Sequence, residues 1–146
     1  MSKTILAKSN EEIESCFKIR SQVFVGEQNV PEDMHRDEYD RVALHFLLFD
    51  ENIAVGTARV VLFEDGNTAK IGRVAVLQSH RGFGLGNQLM QAIKKAPELS
   101  KCNRLILQAQ THALNFHKQL GYIEEGPEFL DAGIPHREMN KSRVLD

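Results

Sequence analysis

Residues 71–95 narrow the folds open to this chain more than any other stretch. An apolar, β-branched run, Ile71-Gly72-Arg73-Val74-Ala75-Val76-Leu77, leads into Arg81-Gly82-Phe83-Gly84-Leu85-Gly86, and a helical pattern begins at Asn87-Gln88-Leu89-Met90. A strand that turns on glycine into a helix is the front half of a crossover connection. Glycines at alternate positions allow backbone conformations closed to other residues and let a ligand approach the main chain. The first turn of the following helix leaves N–H groups without intrahelical partners. These features together predict an anion cradle; a purely structural glycine turn is the plain alternative.

The flanking pattern sets the element order. A short strand is expected over 4–8. A helix is expected over 11–26, with Ser9 or Asn10 as N-cap, Glu11 and Glu12 in its first turn, and an apolar face through Ile13, Phe17, Val23 and Phe24. Residues 27–41 are polar and acidic with Pro31 inside, which predicts a loop, either solvated or lining a substrate site. Strands over 43–49, 53–63 and 68–77, separated by the turns 50–52 and 64–67, form an antiparallel meander. The helix after the glycines should stop near Pro97. A buried strand over 104–108 would then pair in parallel with the strand before the glycines, through a right-handed crossover. A helix over 111–120 closed by Gly121, a strand from Tyr122, a long loop over 126–135 and a last strand over 136–143 complete the chain. The expectation is one mixed-sheet α/β domain over 1–146, with a central meander and a parallel fourth strand–helix–fifth strand unit.

The glycine spacing separates the phosphate motifs. It reads Gly-x-Gly-x-Gly. The dinucleotide fingerprint needs its third glycine one residue later, and the P-loop needs a lysine after its last glycine. Neither fits. The stretch from Val74 to Gly86 instead resembles motif A of the GNAT superfamily, the GCN5-related N-acetyltransferases, with Arg/Gln-x-x-Gly-x-Gly/Ala matched by Arg81, Gly84 and Gly86. The element order extends this resemblance over nearly the whole chain. The segments FVGEQNVPEDMHRDEYD and GIPHREM are similar to the ElaA/YjcF-like branch.

The resemblance implies acetyl-CoA as cosubstrate. Backbone groups of Val74, Ala75 and Val76 would meet its pantetheine arm. The amides of Arg81, Gly82, Phe83, Gly84, Leu85 and Gly86 would hold its pyrophosphate. Asn115 and, more weakly, Lys118 are further cofactor contacts. The family pattern Asn-x-x-Ala-x-x-(apolar)-Tyr maps onto Gln110, Ala113, Phe116 and His117, so Gln110 stands where Asn is usual and His117 where the acidic Tyr is usual. His117 is therefore the candidate general acid.

The reaction also needs a base. At neutral pH only about one alkyl ammonium in 2,500 has lost its proton, a cost of about 4.6 kcal/mol. Glu27, His35, Glu38, Asp40 and His136 are candidates by residue type and loop position, with Glu27 and His136 foremost. The acidic loop suggests a cationic acceptor, either a small-molecule amine or a protein amine.

Composition excludes other classes. A net charge of -2 gives no global basic field, so nucleic acid is not the expected partner. No run reaches transmembrane length, and the first residues lack the apolar core of a signal peptide, so no membrane association and a cytoplasmic location are expected. Cys16 and Cys102 read as two reduced thiols. His35, Asp37, His45 and His136 lack the spacing of a metal motif, so no metal is expected. A strand edge near the C-terminus offers a homodimer surface. A non-enzymatic acyl-CoA-binding or sensing module on the same scaffold is the competing functional reading, kept open by His117.

Overall fold

The computed structural model describes residues 1–145. Seven strands form a single mixed sheet in the order β1-β2-β3-β4-β5-β7-β6. Strand β1 (Ser2–Leu6) pairs antiparallel with β2 (Leu44–Asp50), and β2, β3 (Ile53–Leu62) and β4 (Thr68–Val76) form the expected meander. Strand β4 then joins β5 (Arg104–Gln110) in parallel through helix α3 (Leu85–Lys95). The hairpin of β6 (Ile123–Asp131) and β7 (Ile134–Ser142) closes the sheet, with β7 inside and β6 at the edge.

Helix α1 (Asn10–Arg20) begins with a capping box. Ser9 Oγ accepts from the Glu12 N–H at 3.1 Å, while Glu12 Oε1 accepts from the Ser9 N–H at 3.0 Å. The helix predicted to run to residue 26 changes form after Arg20 into a π-helical segment, Ser21–Glu27. Its wider turn is closed by the Gln28 N–H on the Val23 carbonyl at 3.2 Å. The helical period of the sequence gives no sign of this step, which turns Val23 and Phe24 together toward the central cleft.

Residues 27–41 are built rather than open. They hold the one-turn helix α2 (Glu32–His35) and a 3-10 turn at Glu38–Arg41 capped by Asp37. Buried arginines from two elements hold this segment. Arg20 is 1% exposed. It donates to both Asp40 carboxylate oxygens, at 2.8 and 3.1 Å, and to the His35 carbonyl. Arg59 Nη1 reaches Asp37 at 2.6 Å and Asp40 at 3.2 Å. Burial alone would raise the Asp40 carboxyl, but the Arg20 hydrogen bonds and the arginine charges outweigh it and hold it well below the usual carboxylate range.

The C-terminal hairpin corrects a second expectation. The loop read over 126–135 is mostly strand, and the turn consists of Ala132 and Gly133, both at positive φ (53° and 77°). A register shift between Glu125 and Phe129 absorbs Gly126 and Pro127 within the strand. An edge strand has no ladder partner on its outer side, so proline there costs no hydrogen bond.

Two apolar layers grip the sheet. On one face Leu85, Leu89, Met90 and Ile93 of α3 join Val60, Ala69, Ile71, Leu105 and Leu107. On the other, Cys16, Ile19 and Val23 meet Leu47 and Ala75. Cys16 and Cys102 are free and buried, and burial pushes both thiols up. Arg143 clamps the exit of α3 by donating to the carbonyls of Lys94, Leu99 and Cys102.

Replacing Asp40 by Asn deprives the buried Arg20 of its carboxylate and leaves Arg59 with Asp37 alone, and should lower stability by about 3 kcal/mol at neutral pH in urea unfolding. The depressed carboxyl stabilises the fold above the unfolded carboxylate range and ceases to do so as pH falls toward its folded value. The difference between wild type and Asp40→Asn should therefore shrink below about pH 4.

Candidate active site

The parallel pairing of β4 with β5 lasts only from Thr68↔Arg104 to Ile71↔Leu107. Beyond it the strands part, while β4 stays paired with β3 as far as Gly56↔Val76. A register shift in that pairing places Arg73 and Val74 against the single residue Ala58, with Arg73 at φ 51°. Such a bulge increases strand twist and bends β4 away. A cleft of about 350 Å³ opens there between β4 and β5.

Strand alternation decides which backbone groups face the opening. The Leu77 N–H is spent on the Val55 carbonyl at 2.8 Å, and Ala75 lies opposite Thr57 in the ladder. Ala75 therefore directs its backbone toward β3 and Val76 directs its own to the unpaired side, while Val74 lies in the bulge, where the alternation is interrupted. All three residues line the cleft, and the Val76 carbonyl accepts from Arg81 Nε.

The glycine turn continues the open edge. Gly82 and Gly84 sit at φ 87° and 79°, and a Cβ at either would meet nothing within 4 Å. No backbone N–H from Gly82 through Gly86 donates to a described residue. The turn thus presents a run of free donors at the start of an 11-residue helix, which fits a pyrophosphate. Leu85 sends its side chain into the core and only its backbone to the turn. Gly86 faces the Phe116 ring of α4 (Leu114–Gln119), which a Cβ there would touch at 3.4 Å, an ordinary contact. Phe83 projects into solvent at the rim, 73% exposed.

Two candidates far apart in sequence meet. Arg81 Nη1 and Nη2 bind the Glu27 carboxylate at 2.8 and 2.7 Å, and its Nε donates to the Val76 carbonyl at 2.8 Å. Every nitrogen of the guanidinium is engaged, as are both Glu27 oxygens. Glu27 is thus tied to the donor side rather than turned into the cleft. Asn115 stands exposed on α4 outside the cleft lining.

His117 lines the cleft but is buried between Phe116 and Tyr122, with ring centroids at 5.0 and 5.9 Å. Its Nδ1 is sealed from solvent and unpartnered. Burial lowers its pKa to about 4, so it is neutral at physiological pH. Tyr122 is also buried, with its phenol pushed up to about 12.

His136, in β7 opposite Gln110, lines the same cleft and stacks on Phe129. Its Nδ1 lies 2.7 Å from the Ile134 carbonyl. A carbonyl only accepts, so Nδ1 carries the hydrogen and Nε2 of the neutral ring keeps its lone pair. Gln28 and Gln110 span the cleft with a reciprocal amide pair at 2.8 and 3.1 Å. Sequence reading missed Gln28, which carries no motif signal. The loop carboxylates Asp37 and Asp40 serve the arginine network, so the loop's acidity is not aimed into the cleft.

A family model described as "Acetyltransferase (GNAT) domain" matches residues 5–143. The chain belongs to the GNAT acetyltransferases. The chain is 41% identical over 140 residues to the Bacillus subtilis protein called uncharacterized N-acetyltransferase YjcF, covering 95% of this chain and 99% of that one. It is 31% identical over 144 residues to Escherichia coli protein ElaA, covering 93% and 91%. The ElaA crystal structure superposes with a TM-score of 0.81 at 28% identity over 97% of this chain and 99% of that one. A Pseudomonas aeruginosa acyl-CoA N-acyltransferase gives 0.81 at 26% identity over the same shares. The GNAT fold and its acetyl-transfer chemistry thus extend to this chain, with an acyl-CoA as the family's donor. No helix among the described residues is long and apolar enough to cross a membrane.

The GNAT position of His117 carries a stability consequence. Its folded pKa lies below the unfolded value of about 6.5, so the unfolded state binds the extra proton first and stability falls as pH drops between the two. Urea unfolding should show this ring contributing a loss of about 2–3 kcal/mol from about pH 7.5 to about pH 4.5. His117→Leu should remove that part of the pH dependence.

Proposed function

We propose that this GNAT domain acetylates an amine, of a small molecule or a protein, by direct attack while donor and acceptor are bound together. The observation that carries the reading is the continuity of the unspent N–H run from Gly82 to Gly86 with the stretch of β4 after Ile71 that has parted from β5. Acetyl-CoA supplies an activated thioester carbonyl when bound.

The chain's own groups do the rest. The turn amides bind the pyrophosphate, and the Val74 and Val76 edge aligns the extended arm as an added strand would. The Glu27–Arg81 pair fixes the Val76 carbonyl and joins the end of the π-helical segment to the turn, making both positioning residues. His136 accepts the amine proton at Nε2, directly or through water. A backbone N–H at Val74 or Val76 stabilises the carbonyl oxygen as charge develops. His117 packs beside the reacting groups as a neutral ring. The reading includes a cytoplasmic site of action, no metal, and a homodimer surface at the exposed edge strand β6. A non-catalytic acyl-CoA-binding module is favoured by one observation: the position of the family's usual acid holds a buried, uncharged imidazole.

Free-thiol release from acetyl-CoA across an amine panel separates the two. Turnover supports transfer; CoA binding without amine-dependent release supports the module. Gly84→Glu places a side chain and a charge at a left-handed position in the cradle, and should weaken CoA binding about 100-fold in calorimetry, about 2.7 kcal/mol. Unchanged affinity would remove the cradle assignment. His136→Gln should lower kcat about 100-fold while CoA affinity holds, with the lost rate not restored at higher pH.

A further inference from the structure

Three cations line the inner end of the cleft: Arg59 of β3, and Lys70 and Arg73 of β4. Arg59 is 7% exposed and spends only Nη1 on protein partners. Its Nε and Nη2 donate to no described residue. Arg73 gives Nε to the His35 carbonyl at 3.0 Å and Nη2 to Asp37 at 3.2 Å, leaving Nη1. Lys70 is half-buried in a central strand, with no ion-pair or hydrogen-bond partner for its ammonium among the described residues. The register sets Lys70 opposite Val61 and Gly72 opposite Arg59. Lys70 and Arg59 are thus diagonal neighbours on one sheet face, about 7–8 Å apart at the backbone.

The charges do not balance. Arg20, Arg59 and Arg73 share Asp37 and Asp40 behind the wall, and with Asp131 and Lys70 in the cleft lining these four cations and three carboxylates leave one positive charge over. Burial lowers the Arg73 pKa, and the like charges of Arg59 and Arg20 lower it further, as expected of a cluster short of anions. Lys70 has no carboxylate partner among the described residues, so an anion entering the cleft supplies its counter-charge. Spare, neighbouring N–H donors from two guanidinium groups and one ammonium match the oxygens of a carboxylate.

We infer that the acceptor is an amine that also carries a carboxylate, an amino acid or a chain ending in one, and that Lys70, Arg59 and Arg73 bind that carboxylate. The inference rests on the acetyl-transfer reading. It reverses the expectation of a purely cationic acceptor, because the loop carboxylates behind that expectation are bound by Arg20, Arg59 and Arg73. One surplus charge suits a monoanion better than a phosphate dianion. Arg59 and Arg73 are preset by Asp37, whereas Lys70 is unrestrained and is the variable specificity element.

The test measures thiol release for matched pairs, each an amino acid and its decarboxylated amine of equal length, with an aminoalkyl phosphonate alongside. Wild type should prefer the amino acid in kcat/KM. Lys70→Met, which keeps the apolar stem, should cut that preference about 10- to 100-fold. Lys70→Glu should turn it toward the decarboxylated amine. A CoA-induced rise in Tm like that of wild type certifies that each variant is folded. Equal or better rates with decarboxylated amines, a stronger preference for the phosphonate, or a preference unmoved by both Lys70 variants overturns the inference and leaves acetyl transfer standing. Release with no amine overturns the acetyl-transfer reading and this one with it.

Discussion

The separation of β4 from β5 after Ile71↔Leu107 is the constraint on which the site depends. A strand in mid-sheet normally spends every backbone donor and acceptor on its two neighbours. Here β4 keeps β3 and loses β5, and the bulge at Arg73 and Val74 bends it away. The unpaired edge must bind solvent or ligand. The same separation creates the cleft, presents the Val76 backbone, and leads to a glycine turn whose amides are also unspent. Both apolar layers hold the two strands where they are, since α3 packs across β3, β4 and β5 and α1 covers the other face.

Charge is divided between the two ends of the cleft. At the outer end Arg81 is neutralised by Glu27 and pinned to Val76, so the donor side is fixed and locally balanced. At the inner end the arginines outnumber their carboxylates. Asp37 and Asp40 align the guanidinium groups without cancelling them, and Arg20 carries that alignment into α1. A buried ion network of this kind is a weak source of net stability, because desolvation offsets much of the Coulomb attraction. Its structural effect is direct: it converts residues 27–41 from a polar stretch into a wall of the site.

The two histidines show how surroundings, rather than residue type, assign chemistry. His117 occupies the position that motif comparison marks for an acid, yet its place between Phe116 and Tyr122 makes the charged ring costly. His136 has a carbonyl at Nδ1, which fixes its tautomer and leaves Nε2 with a lone pair. Both rings were candidates by sequence, and only burial and hydrogen bonding distinguish them.

The sequence by itself determined the features that depend on neighbours in the chain. The strand–glycine–helix unit, the meander, the start of α1 near Ser9 and the amphipathic face of α3 each rest on contacts within a few residues, so spacing reveals them. The π-helical step after Arg20 and the Ala132-Gly133 turn were hidden because β-branched runs and Gly-Pro pairs suit more than one local structure. Tertiary structure alone decided the partners. Arg81 meets Glu27 across 54 positions, Gln110 meets Gln28 across 82, and Asp40 meets Arg20 across 20. No periodicity states which loop carboxylate will neutralise which guanidinium. The inner end of the cleft is made of such pairings and of Lys70, so it emerged only when the sheet brought β3, β4 and the loop together.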